Sequence, residues 1–215
     1  HSFPTRRSSD LFLLGTAAGA AAFHRWWRGA EPARLHASLL NAAAGAGFLG
    51  ILALSRTGWS YRSLRALGDA PGAVLMAELL TAFTVFAPVT FCMGALFSHL
   101  LQQVRAQRAG VGGVLALNTL GAALAPVFVL LLLPWAGAKI TLAITCLGYL
   151  LLALPNCSAK LVAFVLVLGL FAIGSNLQIV DAPSGSRVIS HREGIMATVV
   201  VTEDANTNRT LRVKS

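Results

Sequence analysis

The residues best able to do chemistry in this sequence are the few polar side chains that interrupt its long apolar runs. Glu78 carries a carboxylate in such a run, and an acid at membrane depth is a candidate for binding a cation or relaying a proton. Thr90, Asn118 and Thr119 supply hydroxyl and amide groups in similar surroundings. If kinked helices brought them together, these four side chains would line a path for a polyamine or another small solute. Simpler roles are also open: Glu78 as an interface residue, and the other three as hydrogen-bonding groups between helices.

The patterns expected of an enzyme active site are missing from the sequence. No two carboxylates form a clustered pair on a recognisable scaffold, and the histidines beyond the first residue stand singly: His24, His36, His99 and His191. Neither a Ser–His–Asp triad nor a metal-ligand spacing is therefore predicted, and the histidines are expected at interface or surface positions. The three cysteines lack CxxC spacing, which predicts small apolar side chains rather than ligands. We predict no catalytic, cofactor-binding or metal-ligating residue in the chain.

Composition favours a membrane protein. Of the 215 residues, 56% are hydrophobic and 12% are charged, whereas a soluble domain carries about 25% charged residues. The mean hydropathy is +0.70. The net charge of +9 comes largely from arginines placed singly in short connections, which is typical of contacts with lipid headgroups. Because no basic stripe forms, we expect no nucleic-acid partner.

The run from residue 113 to residue 134 indicates how the helices are expected to pack. It is mostly apolar and uncharged, and it is long enough to cross a hydrocarbon core of about 30 Å as a helix. Asn118, Gly121, Ala122 and Ala125 recur at i, i+3, i+4 and i+7, so they share one face. Small side chains let helices approach closely, and an amide can hydrogen-bond across the contact. The sequence therefore predicts a helix with one side facing lipid and the other facing a second helix.

Similar apolar runs extend this pattern to about six membrane helices, the first of them truncated. The runs cover residues 12–23, 35–54, 73–100, 113–134, 140–154 and 161–173. Pro88 and Pro126 lie inside two runs and predict kinks, because proline removes a backbone hydrogen bond. Gly45, Gly47 and Gly50 match a GxGxxG pattern, but no strand precedes it, so the glycines are assigned to helix packing rather than to a nucleotide site.

Residues 1–11 resemble translated sequencing adapter and are excluded as an artefact.

The composition changes towards the C-terminus. Residues 175–193 are polar and are predicted to be a linker. Residues 195–203 are rich in β-branched side chains and residues 210–214 alternate between polar and apolar ones, with a turn-rich segment between them. The predicted fold is therefore an all-α polytopic membrane bundle, residues 12–174, followed by a short C-terminal β-hairpin. Because a lone hairpin is marginally stable in water, residues 194–215 are expected to begin a truncated soluble domain.

Three segments, in this order, carry a resemblance to a known family. Residues 88–97 are similar to the pattern P-x-T-x-x-M-G-A-x-x-P, and residues 118–122 read N-T-L-G-A. Residues 192–199 and 209–213 are similar to a strand pair that opens a synthase domain. The order resembles the membrane-embedded spermidine synthase-like proteins, in which helices precede a polyamine aminopropyltransferase domain. Two positions depart from that pattern, since Ser98 replaces a usual proline and Pro126 stands near a usual small residue.

The resemblance implies a membrane-anchoring region of an aminopropyltransferase of polyamine biosynthesis, with decarboxylated S-adenosylmethionine as co-substrate of the full-length enzyme. The family's glycine-rich loop and acidic residues lie beyond the hairpin, so no catalytic residue is carried over and this fragment is expected to be inactive by itself. The expected partners are the lipid bilayer, the missing C-terminal catalytic domain and a second copy of the chain in a homo-oligomer. The expected location is the bacterial cytoplasmic membrane.

Two other functions are open at this point. A transporter-type bundle would use kinked helices to move a polyamine or another small solute, and a scaffold bundle would only hold partners. Helix packing or path lining is assigned to Glu78, Pro88, Thr90, Gly94, Asn118, Thr119, Gly121 and Pro126. The two sides of the predicted bundle carry equal numbers of basic residues, so the positive-inside rule does not predict the orientation of the protein in the membrane.

Overall fold

The computed structural model describes residues 4–56, 71–107, 110–156, 158–175, 186–193, 198–204 and 209–214. These residues are mostly helical. The helices among them are α1 (Pro4–Ala22), α2 (Pro32–Ser55), α3 (Pro71–Ala106), α4 (Val111–Ala153) and α5 (Ala159–Gly174). A π-helical segment, Phe23–Trp27, extends α1, and a short 3-10 helix, Leu154–Asn156, follows α4.

In the described part of the chain, three segments are long and apolar enough to cross a membrane: Pro32–Ser55, Leu79–Ala106 and Val111–Ala153. Helix α5 is apolar but shorter, with 16 residues that rise about 24 Å. The protein is therefore mostly helical with three candidate membrane-spanning helices. The larger number of six spans stays a prediction.

Helix α2 is the central helix of the described bundle and contacts α3, α4 and α5. Gly45 faces α5, and Gly47 lies against the thiol of Cys146 in α4. A Cβ at Gly50 would lie 3.3 Å from the carbonyl oxygen of Val85 in α3. Each glycine thus meets a different neighbouring helix, which confirms their assignment to helix packing.

The core lies between α2, α4 and α5. Its buried members are Ala44, Phe48, Ile51, Ala143, Cys146, Leu150, Val165 and Ala172. The Phe48 ring is fully buried against Gly169 of α5, where a side chain would leave no room for it. Because lipid tails are as apolar as these side chains, close packing supplies the attraction between the helices in a membrane.

Helices α1 and α3 run parallel and touch through their backbones at a contact we call the glycine seam (Gly15, Gly19 and Gly94). A Cβ at Gly19 would come within 2.8 Å of the carbonyl carbon of Phe91 in α3. A Cβ at Gly94 would come within 2.7 Å of the Cα of Thr16 in α1. The seam therefore has space only for the hydrogen atoms of glycine.

Helix α1 begins at Pro4, so it includes most of the residues 1–11 that are excluded as an artefact above.

Gly137 breaks α4 into two helical segments. Its φ of 75° and ψ of 166° lie in a region that side-chain-bearing residues rarely adopt. The break lies between the predicted apolar runs 113–134 and 140–154, where one membrane helix is expected to end before the next begins. We refer to residues 111–136 as α4N and to residues 138–153 as α4C.

The packing predicted for α4N is wrong within the described structure. Asn118, Ala122 and Ala125 are exposed, and nothing lies within 4 Å of the position that a Cβ would take at Gly121. The neighbours of α2 are α3, α4C and α5, which leaves α4N outside the core. Small residues permit a close helix contact but do not by themselves supply a partner helix.

Three strands follow the helices: β1 (Ser186–Glu193), β2 (Thr198–Asp204) and β3 (Arg209–Lys214). They form one antiparallel sheet in the order β1-β2-β3. In the register of β2 and β3, Val199 lies opposite Val213. Strand β1 occupies part of residues 175–193, which the sequence analysis assigns to a linker.

Replacing Gly94 by Ala should destabilise the protein, because the new methyl group would meet the backbone of Thr16 across the glycine seam. We expect a loss of about 1–3 kcal/mol in the free energy of unfolding, measured by denaturant titration of the protein in detergent micelles. Gly121→Ala is the matched control, since its methyl group would enter open space. An equal loss in both variants would contradict the packing described for the seam and for α4N.

Replacing Gly137 by Ala should also destabilise the protein, because alanine is strained at the backbone angles of the break. The expected cost is about 1–3 kcal/mol in the same unfolding titration. Gly148→Ala provides the control, as Gly148 lies in the regular part of α4 with open space at its Cβ position. A Gly137→Ala variant as stable as the parent would mean that the helix passes through this position without a break.

Candidate functional site

The predicted site residues of α3 lie on its contact with α1. Thr90 is buried, and its hydroxyl donates to the carbonyl oxygens of Phe86 at 3.0 Å and Ala87 at 3.1 Å. Gly94, one turn further on, belongs to the glycine seam. The hydroxyl of Thr90 is therefore satisfied within its own helix, and this part of α3 is a packing surface. Pro88 lies inside the same helix and is exposed.

The predicted site residues of α4N lie apart from that contact. All four are exposed: Asn118, Thr119, Gly121 and Pro126. The Thr119 hydroxyl donates to the carbonyl oxygen of Leu115 at 2.9 Å, within the same helix. Glu78 is part of α3, but its side chain lies outside the described residues. The structure thus joins Thr90 and Gly94 at α1 and does not bring Asn118 or Thr119 to them.

A partly buried polar group that was not predicted from the sequence lies where α1, α2 and α3 meet. We call it the histidine cluster, formed by His36, His99, Gln102 and Gln103. His99 is only 4% exposed, so the expectation of an interface or surface position is wrong for this residue. Its ring lies 5.9 Å from the ring of His36 and meets the edge of Phe23 at 5.7 Å.

A hydrogen bond and a backbone contact orient the His99 ring. The Gln103 amide nitrogen lies within hydrogen-bonding distance, 2.9 Å, of Nε2 of His99. The ring also lies beside the backbone of Pro32 in the first turn of α2. His99 therefore ties the C-terminal part of α3 to the first turn of α2.

A second tie connects α3 to the turn between α1 and α2. The Gln102 amide nitrogen donates to the backbone carbonyl of Arg28 at 3.1 Å. Two other polar atoms of the cluster, Nδ1 of His36 and Oε1 of Gln102, are buried without a hydrogen-bond partner among the described residues. Such groups cost about 1–3 kcal/mol each when they are left unpaired.

The chemistry of the histidine cluster is that of a helix junction. Within the described ranges, no three His, Cys, Asp or Glu side chains come together in a group suited to hold a metal ion. His99 is hydrogen-bonded to Gln103 and lies against Phe23, so its ring holds the helices together. The sequence carries no signal for this junction, because His36 and His99 lie on separate helices and far apart in the chain.

Replacing His99 by Leu should weaken the junction, because Gln103 would lose its hydrogen-bond partner while remaining next to a buried side chain. We expect the free energy of unfolding in detergent to fall by about 1–3 kcal/mol. His24→Leu is the control, since His24 is exposed and a surface change costs less than about 0.5 kcal/mol. His99→Gln, which retains polar atoms, should lose less than His99→Leu. Equal stabilities for the two Leu variants would contradict the junction.

Comparison of the chain with protein-family models, with curated proteins and with solved structures finds no match. No relative therefore supplies a function for the geometry described above. The function has to be inferred from the residues of this chain and from the order of its elements.

Proposed function

We propose that the chain is the membrane-anchoring region of a spermidine synthase-like aminopropyltransferase of polyamine biosynthesis, in the bacterial cytoplasmic membrane. The observation that supports the proposal is the pairing of β2 with β3 after the last apolar helix. Residues 192–199 and 209–213, which resemble the opening strands of the synthase domain, overlap these paired strands and β1. In this proposal the strands begin the water-facing part of the enzyme.

The helices would hold that domain at the membrane. Counting α4N and α4C separately because of the break at Gly137, the chain would cross the bilayer about six times. Parallel packing of α1 with α3 and the glycine contacts of α2 would give this anchor a fixed shape. A second copy of the chain is a proposed partner in a homo-oligomer.

The chemistry would belong to the domain that follows. Aminopropyl transfer needs acidic groups that hold a cationic amine and accept a proton from the attacking nitrogen. Decarboxylated S-adenosylmethionine would supply the aminopropyl group to that domain. The carboxylates of this chain offer no clustered pair for the task, so we expect the fragment to bind the membrane without catalysing transfer.

A transport function has less support from the same residues. The hydroxyls of Thr90 and Thr119 are bonded within their own helices, and Asn118 is exposed. A solute path would need these groups to turn towards one another. The anchor proposal requires no such rearrangement.

The test is to express two proteins in a bacterium that lacks its own spermidine synthase: this chain alone, and this chain joined to the coding sequence that follows it in the genome. We expect both proteins to remain in the membrane after an alkaline wash. Membranes with the longer protein should transfer an aminopropyl group from decarboxylated S-adenosylmethionine to putrescine, and membranes with the shorter one should not.

Two results would contradict the proposal. One is the absence of aminopropyl transfer by the longer protein when it is stable in the membrane. The other is polyamine uptake into vesicles that contain only this chain, lost on Glu78→Gln, which would favour transport.

A further inference from the structure

One end of the bundle gathers arginines from three chain segments, and we call it the basic end (Arg25, Arg28, Arg34 and Arg105). Arg25 and Arg28 follow the last turn of α1, Arg34 is in the first turn of α2, and Arg105 is in the last turn of α3. All four side chains are exposed. The three segments that carry these arginines end on the same side of the bundle. Helices α1 and α3 run parallel, and α2 runs antiparallel to them from the end of α1 along α3.

The histidine cluster fixes the backbone beneath these arginines. The Gln102 amide holds the carbonyl of Arg28, and Arg105 follows Gln102 by nearly one helical turn. His99 lies against Phe23 and ties α3 to Pro32, two residues before Arg34. The arginines therefore project from a preorganised surface rather than from independent loops, which lowers the entropy cost of binding one ligand with several side chains.

The basic end lacks its own counter-charge. Among its described residues, Glu31 is the one carboxylate, and it pairs with Arg34 at 3.0 Å. No carboxylate of the described chain forms an ion pair with Arg25, Arg28 or Arg105. Three exposed guanidinium groups are thus available for anions from outside the described chain, and a guanidinium binds phosphate oxygens through paired hydrogen bonds.

Two tryptophans adjoin these arginines. Trp26 lies between two of the arginines in sequence and is 70% exposed, while Trp27 packs edge-on against Phe91 of α3 at 6.3 Å. Tryptophan collects at the level of the lipid headgroups, where an apolar ring and a polar N–H are both accommodated. The tryptophans therefore favour a lipid phosphate as the anion that Arg25 and Arg28 would bind.

We propose that Arg25, Arg28 and Arg105 form a docking surface for the phosphate headgroup of an anionic phospholipid in the leaflet at this end of the bundle. The proposal depends on the membrane location in the proposed function and does not depend on aminopropyl transfer. A zwitterionic headgroup would bind less tightly, because its own cationic group competes for the phosphate and is repelled by the arginines.

The test measures quenching of tryptophan fluorescence by brominated lipids. The full chain, carrying Trp59→Phe and Trp135→Phe so that Trp26 and Trp27 report alone, is reconstituted into phosphatidylcholine vesicles. Equal mole fractions of brominated phosphatidylglycerol or brominated phosphatidylcholine are then compared. We expect brominated phosphatidylglycerol to quench more strongly, with a relative binding preference that reaches about fivefold for each arginine engaged and falls in high salt.

Arginine variants test the surface itself. The triple variant R25Q/R28Q/R105Q should lose the preference, and it keeps the backbone carbonyl that Gln102 binds at residue 28. The matched control is R56Q, a charge removal at the opposite end of α2, which should retain the preference. If the triple variant is unstable in detergent, the single variants R28Q and R105Q should each reduce the preference severalfold.

Three results would overturn the proposal. Equal quenching by the two brominated lipids would exclude a preference for the anionic headgroup. An unchanged preference in the stable arginine variants, or an equal fall in R56Q, would place binding elsewhere. Quenching by neither lipid would remove the membrane location on which the proposal depends, and the aminopropyl-transfer assay is a separate measurement from all three.

Discussion

The close approach of neighbouring helices to α2 is the physical constraint on which the described bundle depends. Gly47 and Gly50 leave no side chain in the way of α4C and α3, and Gly45 faces α5 at an ordinary van der Waals distance. In lipid, where the hydrophobic effect does not drive helices together, such contacts gain dispersion energy that bulkier residues would forfeit. One short glycine segment therefore positions three helices, and the Phe48 ring fills the space that remains beside it.

The second constraint is the junction of α1, α2 and α3. The glycine seam sets the distance between α1 and α3, and the histidine cluster then fixes their ends against the first turn of α2. Burying imidazole and amide groups stabilises a structure only when their hydrogen bonds are made, as they are at His99. The same ties determine where Arg28 and Arg105 emerge, so a partly buried set of hydrogen bonds also organises an exposed charged surface.

The segment α4N differs from the rest of the described helices. It carries the N-T-L-G-A sequence and a face of small residues, yet Leu117 and Leu131 are about 70% exposed and Gly121 has no neighbour. Thr90 lies at the contact of α3 with α1, whereas Asn118 lies on the exposed surface of α4N, so the two side chains do not share a site. A surface of leucines is compatible with lipid on every side, so the face of small residues in α4N is accommodated without a contact to α3.

The sequence by itself determined the apolar helices, the helix-packing role of the glycines in α2 and the absence of a paired-carboxylate pattern. Those features depend on local composition and spacing, since hydropathy and helix length are properties of one segment. Only the tertiary structure decided which faces are covered: the stripe at Asn118 and Gly121 has no partner, whereas His36 and His99 meet across two helices. The physical reason is that a helix face can be recognised from its own residues, while the surface opposite it depends on how the rest of the chain is packed.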